Sequence, residues 1–221
     1  MLKKFTIFGQ GFVGENLSIF LKKRKFEFFF PKKGKYKFKK NLNNVVFCIG
    51  NQNWLRKPNL TYQANLAIMT KILFNNKFES FTLISSTRLY IANQKGNTSE
   101  DNLIKVNTNE KKYLYNSLKI SAENLCLCLN NKKIKVVRIS NLYANNFTNQ
   151  AYILPTIIRD SIKKKKINLN LSNASTKDFI HVDDAFNVLI KIIFSGKYRM
   201  YNIASGKNVR IGDIVKKIKK N

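Results

Sequence analysis

The spacing Gly9-x-Gly11-x-x-Gly14, filled by Gln10, Phe12 and Val13, constrains this chain more than any other feature because of what flanks it. Before it stands Phe5-Thr6-Ile7-Phe8, short and apolar as a buried strand is; after it, Phe12, Val13, Leu17, Phe20 and Leu21 recur at helical spacing. A glycine turn between strand and helix has a specific use. The first glycine permits the tight turn, the second leaves the backbone open to a pyrophosphate, and the third lets helix and strand pack closely, with the phosphates at the positive helix end.

The alternation continues downstream. Runs at 26–30, 45–49, 81–85 and 136–139 are rich in aromatic or β-branched residues, and helix-like stretches at 60–76 and 110–130 separate them. Strands alternating with helices imply an α/β fold built on a parallel, doubly wound sheet. Past residue 145 the rhythm loosens into a helix at 151–165, a strand near 167–171, a short strand at 178–181 and a helix at 183–194. A strand at Met200–Ile203 and a basic helix from Ile211 follow. With no internal repeat and no linker-like stretch, residues 146–221 are expected to build on residues 1–145 rather than to hang from them.

At 221 residues, 44% of them hydrophobic, the chain can bury a sizeable core. No apolar run reaches the ~20 residues of a membrane span. Met1-Leu2-Lys3-Lys4 leads straight into the first strand without a signal-peptide core, so a soluble, cytoplasmic protein with no membrane partner is expected. Cys48, Cys126 and Cys128 are odd in number and lack zinc or redox spacing, and they read as buried, reduced packing residues. The net charge of +29 favours anionic ligands and attracts nucleic acid through long-range electrostatics. Lysines are nevertheless spread over the whole chain, and the runs Lys32-Lys33 and Lys163-Lys164-Lys165-Lys166 read as solvated faces.

Three further places carry chemistry. The second apolar run, Phe28-Phe29-Phe30, leads into Pro31-Lys32-Lys33, without the acidic residue that holds an adenosine ribose in this setting. A basic residue such as Lys32 accommodates a 2′-phosphate, which tilts the cofactor expectation from NAD toward NADP. Ser85-Ser86-Thr87-Arg88-Leu89-Tyr90 ends the strand expected at the sheet's carboxyl edge, where hydroxyls can bond a reacting oxygen or satisfy backbone groups. Tyr115 and Lys119 stand four residues apart, on one face of a helix if the segment is helical. A phenol of unperturbed pKa ~10 becomes a usable acid or base at neutral pH when a nearby ammonium favours its phenolate.

Together these motifs resemble the extended short-chain dehydrogenases/reductases of the nucleotide-sugar epimerase/dehydratase family. The matches run in order through Gly9 to Gly14, Ser-Ser-Thr-x-x-Tyr at 85–90, Tyr115-x-x-x-Lys119-x-x-x-Glu123, Val137-Arg138-Ile139-Ser140-Asn141-Leu142-Tyr143, Asp178-Phe179-Ile180-His181-Val182-Asp183-Asp184 and Tyr201-Asn202-Ile203-Ala204-Ser205-Gly206. The resemblance implies a Rossmann-type domain at 1–145, binding NAD or NADP through Gly9, Gln10, Gly11, Phe12, Val13, Gly14, Lys32, Asn65 and Ser85 along with Tyr115 and Lys119. It implies a small, shortened carboxyl-terminal substrate-binding lobe in 146–221 that returns to the Rossmann core. Tyr115 would be the acid/base at the sugar hydroxyl, Lys119 would hold the nicotinamide ribose and favour the phenolate, and Ser86, or Thr87 beside it, would bond the reacting oxygen. Asn141 matches a position near the substrate diphosphate. A homodimer joined through the Tyr-Lys helix is expected on the same ground, with Leu118, Leu125, Cys126 and Leu129 as core or interface residues.

The departures are specific. Lys177 stands where relatives often carry a phosphate-contacting arginine, keeping charge but losing the bidentate fork. Thr87 and Arg88 replace the acidic residues of the dehydratases, so dehydration is not expected. The segment between the second strand and Val45 is short, and relatives usually continue for several dozen residues past the Tyr201-Asn202-Ile203 match. A reduced lobe would mean a smaller substrate, a site completed by a partner, or a decayed enzyme. His181, the only histidine, reads as part of a structural turn and not as a metal ligand, and Asp183 and Asp184 as caps of the following helix. The leading expectation is an NAD(P)-dependent oxidoreductase that reduces a 4-keto group of a nucleotide sugar or inverts a carbinol through a transient ketone. The alternative is a noncatalytic Rossmann-scaffold protein using its basic surface for nucleic acid or assembly, which the complete Ser, Tyr and Lys set disfavours.

Overall fold

The computed structural model describes residues 3–51, 53, 55–92, 98–145, 153–164 and 172–220; the strand expected near 167–171 and the side chains of the basic run 163–166 lie outside them. The elements run β1 (Lys4–Phe8), α1 (Phe12–Lys23), β2 (Glu27–Phe29), β3 (Asn44–Phe47), α2 (Pro58–Tyr62), a π-helical turn (Gln63–Ala67), α3 (Ile68–Asn75) and β4 (Ser80–Ser86). A 3-10 turn (Thr87–Ala92), a second one (Lys111–Tyr113), α4 (Leu114–Cys128), β5 (Ile134–Ile139) and β6 (Asn141–Tyr143) follow. The chain continues through α5 (Ile153–Lys164), β7 (Thr176–His181), α6 (Val182–Ser195), β8 (Met200–Ile203), β9 (Asn208–Arg210) and α7 (Ile211–Lys220).

Six strands form one sheet in the order β2-β1-β3-β4-β5-β8, every neighbouring pair parallel. Period-2 alternation assigns side chains to its two faces. Phe5, Ile7, Val46, Ile84, Val137 and Ile139 turn toward α1 and α6, where Leu17, Phe20, Phe186 and Leu189 meet them. Phe8, Val45, Phe47, Phe81, Leu83 and Val136 turn the other way, against Met69 and Ile72 of α3 and Ala122 and Cys126 of α4. A parallel sheet buried on both faces reads as continuous apolar runs, which is why β3, β4 and β5 are fully buried along nearly their whole length.

Strand order reverses between β1 and β3, and at such a switch point open α/β sheets receive their ligands at the strands' carboxyl ends. The connection 30–43 contributes no strand, so β3 lies directly beside β1. A smaller sheet, β6-β7-β9, sits at the carboxyl side, with β6 parallel and β9 antiparallel to β7. Neither β6 nor β9 is marked by an apolar run of its own. Among the described residues no helix is long and apolar enough to cross a membrane.

Two expectations need correction. Cys126 is buried and Cys48 partly so, but Cys128 is exposed, because it falls on the outer face of α4. The cap of α6 is His181, whose Nδ1 accepts the Asp183 N–H at 3.2 Å. Asp183 and Asp184 instead lie in the first turn, where carboxylates favour the positive helix end.

Candidate active site

The glycine turn closes the carboxyl end of β1 against that of β3. Gly9 has φ +122, and a Cβ there would fall 2.9 Å from both the Cys48 carbonyl carbon and the Ile49 nitrogen. A Cβ on Gly14 would fall 1.8 Å from the Gly9 oxygen, so the third glycine is what lets α1 start tight against β1. Gly11 differs: no atom of the described residues lies within 4 Å of where its Cβ would be, and as N-cap of α1 it offers no side chain to the helix end. Of its neighbours, Phe12 is buried and Val13 packs against the core, whereas Gln10 is exposed. Lys32 is exposed in a turn closed by the Lys35 N–H on its carbonyl at 3.0 Å. Glu27 opens β2 rather than ending it, and pairs with Lys4 at 2.8 Å.

At the next strand inward, Tyr115, Lys119 and Glu123 recur every four residues on the buried face of α4. Lys119 Nζ donates to the Ile84 carbonyl at 3.1 Å, which ties α4 to β4 one residue before Ser85-Ser86. Glu123 accepts the Arg138 guanidinium in a fork, Nε to both oxygens at 3.1 Å and Nη2 to Oε2 at 2.6 Å, tying α4 to β5. Arg138 Nη1 also donates to the Tyr90 hydroxyl at 2.6 Å, and that hydroxyl donates to Asn202 Oδ1 on β8 at 3.0 Å. The family spacing on α4 thus doubles as the device that fixes the helix over the sheet.

Burial pulls the Lys119 ammonium down to about 8, against the opposing influence of Glu123 and Cys48. Burial likewise pushes the Cys48 and Cys126 thiols up to about 12, leaving both as inert packing groups. A Cβ on Gly50, just past β3, would lie 3.9 Å from Lys119 Nζ and 3.4 Å from Asn65 Oδ1. Asn65 and Lys119 therefore converge at one backbone position beside the switch point. Asn65 sits in the π-helical turn, a distortion found often at functional sites, and its Nδ2 is held by the Asn51 and Thr61 carbonyls at 2.8 Å each. Among the described residues its Oδ1 is buried without a hydrogen-bond partner, as is Ser85 Oγ.

Ser86, the last residue of β4, accepts the Arg88 N–H on its hydroxyl at 3.2 Å, and Thr87 opens the 3-10 turn beside it. Arg88 reaches back over the Tyr115 ring, Cζ 6.0 Å from its centroid. Asn141 and Lys177 lie on the small sheet, with Asn141 Nδ2 donating to the Asp178 carbonyl at 2.8 Å. Asp178 is occupied structurally: Ser140, Ser205 and Lys207 donate to its carboxylate, and these bonds hold it below the usual carboxylate range despite burial. Sequence reasoning missed Gly50, for which a glycine just past an apolar run was the available signal. Arg88 was visible only as a departure, and nothing in the sequence marks Asn116, buried with both amide atoms lacking partners among the described residues.

Comparison with known proteins matches residues 44–204 to the model of the NAD dependent epimerase/dehydratase family. No curated protein matches. Among solved structures, dTDP-glucose 4,6-dehydratase from Bacillus anthracis in complex with NAD superposes with a TM-score of 0.78 at 16% identity, covering 98% of this chain and 80% of that one. UDP-glucose 4-epimerase from Thermotoga maritima gives 0.81 at 15% identity, covering 98% and 82%. A dTDP-4-dehydrorhamnose reductase from Clostridium acetobutylicum gives 0.78 at 18%, covering 98% and 79%. At these identities the likeness shows a shared Rossmann-type fold. The family match spans most of the chain and includes the Ser85–Tyr90, Tyr115–Lys119 and Asp178–Asp184 motifs, and the chain belongs to the NAD dependent epimerase/dehydratase family.

Proposed function

We propose that this protein is an NAD(P)-dependent nucleotide-sugar oxidoreductase, a 4-ketoreductase or an epimerase, working through Ser86, Tyr115 and Lys119. The observation that carries this reading is the Lys119–Ile84 bond, because it brings the helix bearing Tyr115 to the carboxyl end of the strand bearing Ser86. The residues suit a dinucleotide. Gly11 leaves open space at the amino end of α1, where a diphosphate would be received by backbone and helix dipole. The unsatisfied oxygens of Asn65 and Ser85 mark buried polar positions suited to a ligand's donors. NADP is favoured over NAD by Lys32, exposed beyond β2 with no acidic residue at that strand's end.

When bound, the nicotinamide supplies hydride transfer to or from the sugar carbon. Tyr115 then moves the hydroxyl proton, with Ser86, or Thr87 beside it, donating to the reacting oxygen. Lys119 favours the phenolate while protonated and has donors beyond the one that Ile84 accepts. Asn141 and Lys177 approach from the small sheet, as expected of groups that face the nucleotide's phosphates, and 146–221 would supply that reduced substrate lobe. Tests with UDP- and dTDP-linked sugars should find turnover with one dinucleotide. Tyr115→Phe should lower it by 10²-fold or more, in the range of lost general acid–base catalysis, while dinucleotide binding persists. Equal turnover in that variant would remove the proposed base.

A further inference from the structure

Between Glu27 and Glu79 the chain has ten Lys and Arg residues and no Asp or Glu, and six of the ten fall within nine positions: Lys32, Lys33, Lys35, Lys37, Lys39 and Lys40. Charge that is diffuse over the whole chain is concentrated here. All six lysines are exposed, while Tyr36 and Phe38 between them are partly buried and pack against the core on the α3 side of the sheet. Asn76, just past α3, holds the stretch extended: its Nδ2 donates to the Tyr36 carbonyl and its Oδ1 accepts the Phe38 N–H, each at 2.8 Å. A parallel strand neighbour would bond the same two groups, so a side-chain amide does for residues 36–38 what a ladder does, and alternate residues face opposite ways. Lys35 and Lys40 lie over the Phe38 and Phe29 rings, 5.2 and 5.5 Å from their centroids, and Lys71 of α3 lies 5.9 Å from that of Tyr36. Among the described residues none of these seven lysines is in an ion pair.

We infer that the connection 30–43 is a second binding surface of this protein, for the phosphodiester backbone of a nucleic-acid strand. Lysines on one side of an extended stretch repeat about every 6.6 Å, close to the interval between successive phosphates of a stretched strand. Each offers a point charge without the planar fork of arginine. The aromatic side chains that could stack on bases are turned inward, so the strand is held by its backbone whatever its sequence. That inward turn also leaves the connection no apolar side chain to enter a bilayer, which argues against a lipid surface. The surface lies apart from the glycine turn. Asn76 and Lys77 stand between α3 and β4, at the sheet's amino edge, and the Leu42 N–H on the Lys77 carbonyl at 2.9 Å ties the end of the connection there.

The test follows the fluorescence anisotropy of labelled oligouridylate and oligothymidylate, each of about 20 nucleotides, with the full chain from about 50 to 200 mM KCl. Both strands should bind with a dissociation constant on the order of 1–100 μM, weakening as salt rises. The triple variant Lys35→Gln, Lys37→Gln, Lys39→Gln should lose on the order of 10- to 100-fold in affinity. Its slope of log affinity against log salt should flatten by about 2, the value for three phosphate contacts on a single strand. A matched triple on the other face of the sheet, Lys22→Gln, Lys23→Gln, Lys191→Gln, removes the same charge from exposed positions and should lose less than about threefold. Equal losses in the two triples would make the attraction one of net charge and overturn the assignment, as would a wild type that binds neither strand. Phosphatidylserine vesicles that bind the wild type and not the first triple, with strand binding unmoved, would overturn it in favour of a lipid surface. None of the six substituted lysines has a place in the proposed catalysis, so no outcome bears on the oxidoreductase reading.

Discussion

A lysine ammonium drawn down to about 8 is held in the fold at a cost, and Lys119 bears that cost for its position. The unfolded chain keeps the proton up to the ordinary value of 10.5, so between about 8 and 10.5 the unfolded state binds more protons and stability rises with pH. Below about 8 the penalty is fully present. Lys119→Met should therefore gain stability at pH 7, on the order of 1 kcal/mol or more, yet lose turnover, and denaturant titrations at pH 7 and pH 10 would show the gain shrinking at the higher pH. A loss of stability at pH 7 would contradict it. The glycines give a second contrast. Gly14→Ala would drive a Cβ into the Gly9 carbonyl and should destabilise the chain strongly, whereas Gly11→Ala meets open space and should fold normally while weakening dinucleotide affinity. Thermal unfolding read beside dinucleotide titration separates the two, and equal melting temperatures for both variants would refute the packing account.

At the scale of elements, α4 is positioned by two buried contacts, Lys119 to β4 and Glu123 to β5. Removing one partner of a buried pair leaves an uncompensated charge and costs about 3–5 kcal/mol. Arg138→Met should lose about that much stability, and Arg138→Met with Glu123→Leu should recover a large part of it, as equilibrium unfolding would report; no recovery would mean the arginine acts through Tyr90 instead. The apolar runs of β1, β3, β4 and β5 were legible because a parallel sheet buried on both faces needs them. The strand β9 was not, since all three of its residues are exposed and only pairing with β7 orders them. The π-helical turn holding Asn65 was equally hidden, its sequence reading as an uninterrupted helix. Tyr115 and Lys119 were legible as a pair because helical spacing is local, but the bond from Lys119 to the Ile84 carbonyl depends on how helix and sheet meet.

For the whole molecule, the outer side of α3 and α4 is where the expected homodimer can be tested. Phe74 on α3 is 56% exposed, and the family resemblance points to a homodimer through α4 and its neighbour. Sedimentation should find a dimer that Phe74→Glu weakens; a monomer at tens of micromolar, with the wild-type sequence, would contradict it. The net charge of +29 lies on lysines spread through both halves of the chain, which fits anion attraction in general and singles out no one partner. The order reversal between β1 and β3 gathers the glycine turn, Gly50, Asn65 and Lys119 at one edge, and the account of function stands on that gathering.

Its most direct test follows one hydrogen. A nucleotide sugar deuterated at C4, incubated with the protein and oxidised dinucleotide, should yield deuterated reduced dinucleotide with the 4-keto sugar if the enzyme is a reductase, or the C4 epimer with its deuterium retained if it is an epimerase, as mass spectrometry and NMR of the recovered cofactor and sugar would show. Deuterium lost to water, or a sugar recovered neither oxidised nor inverted at C4, would contradict hydride transfer at this site.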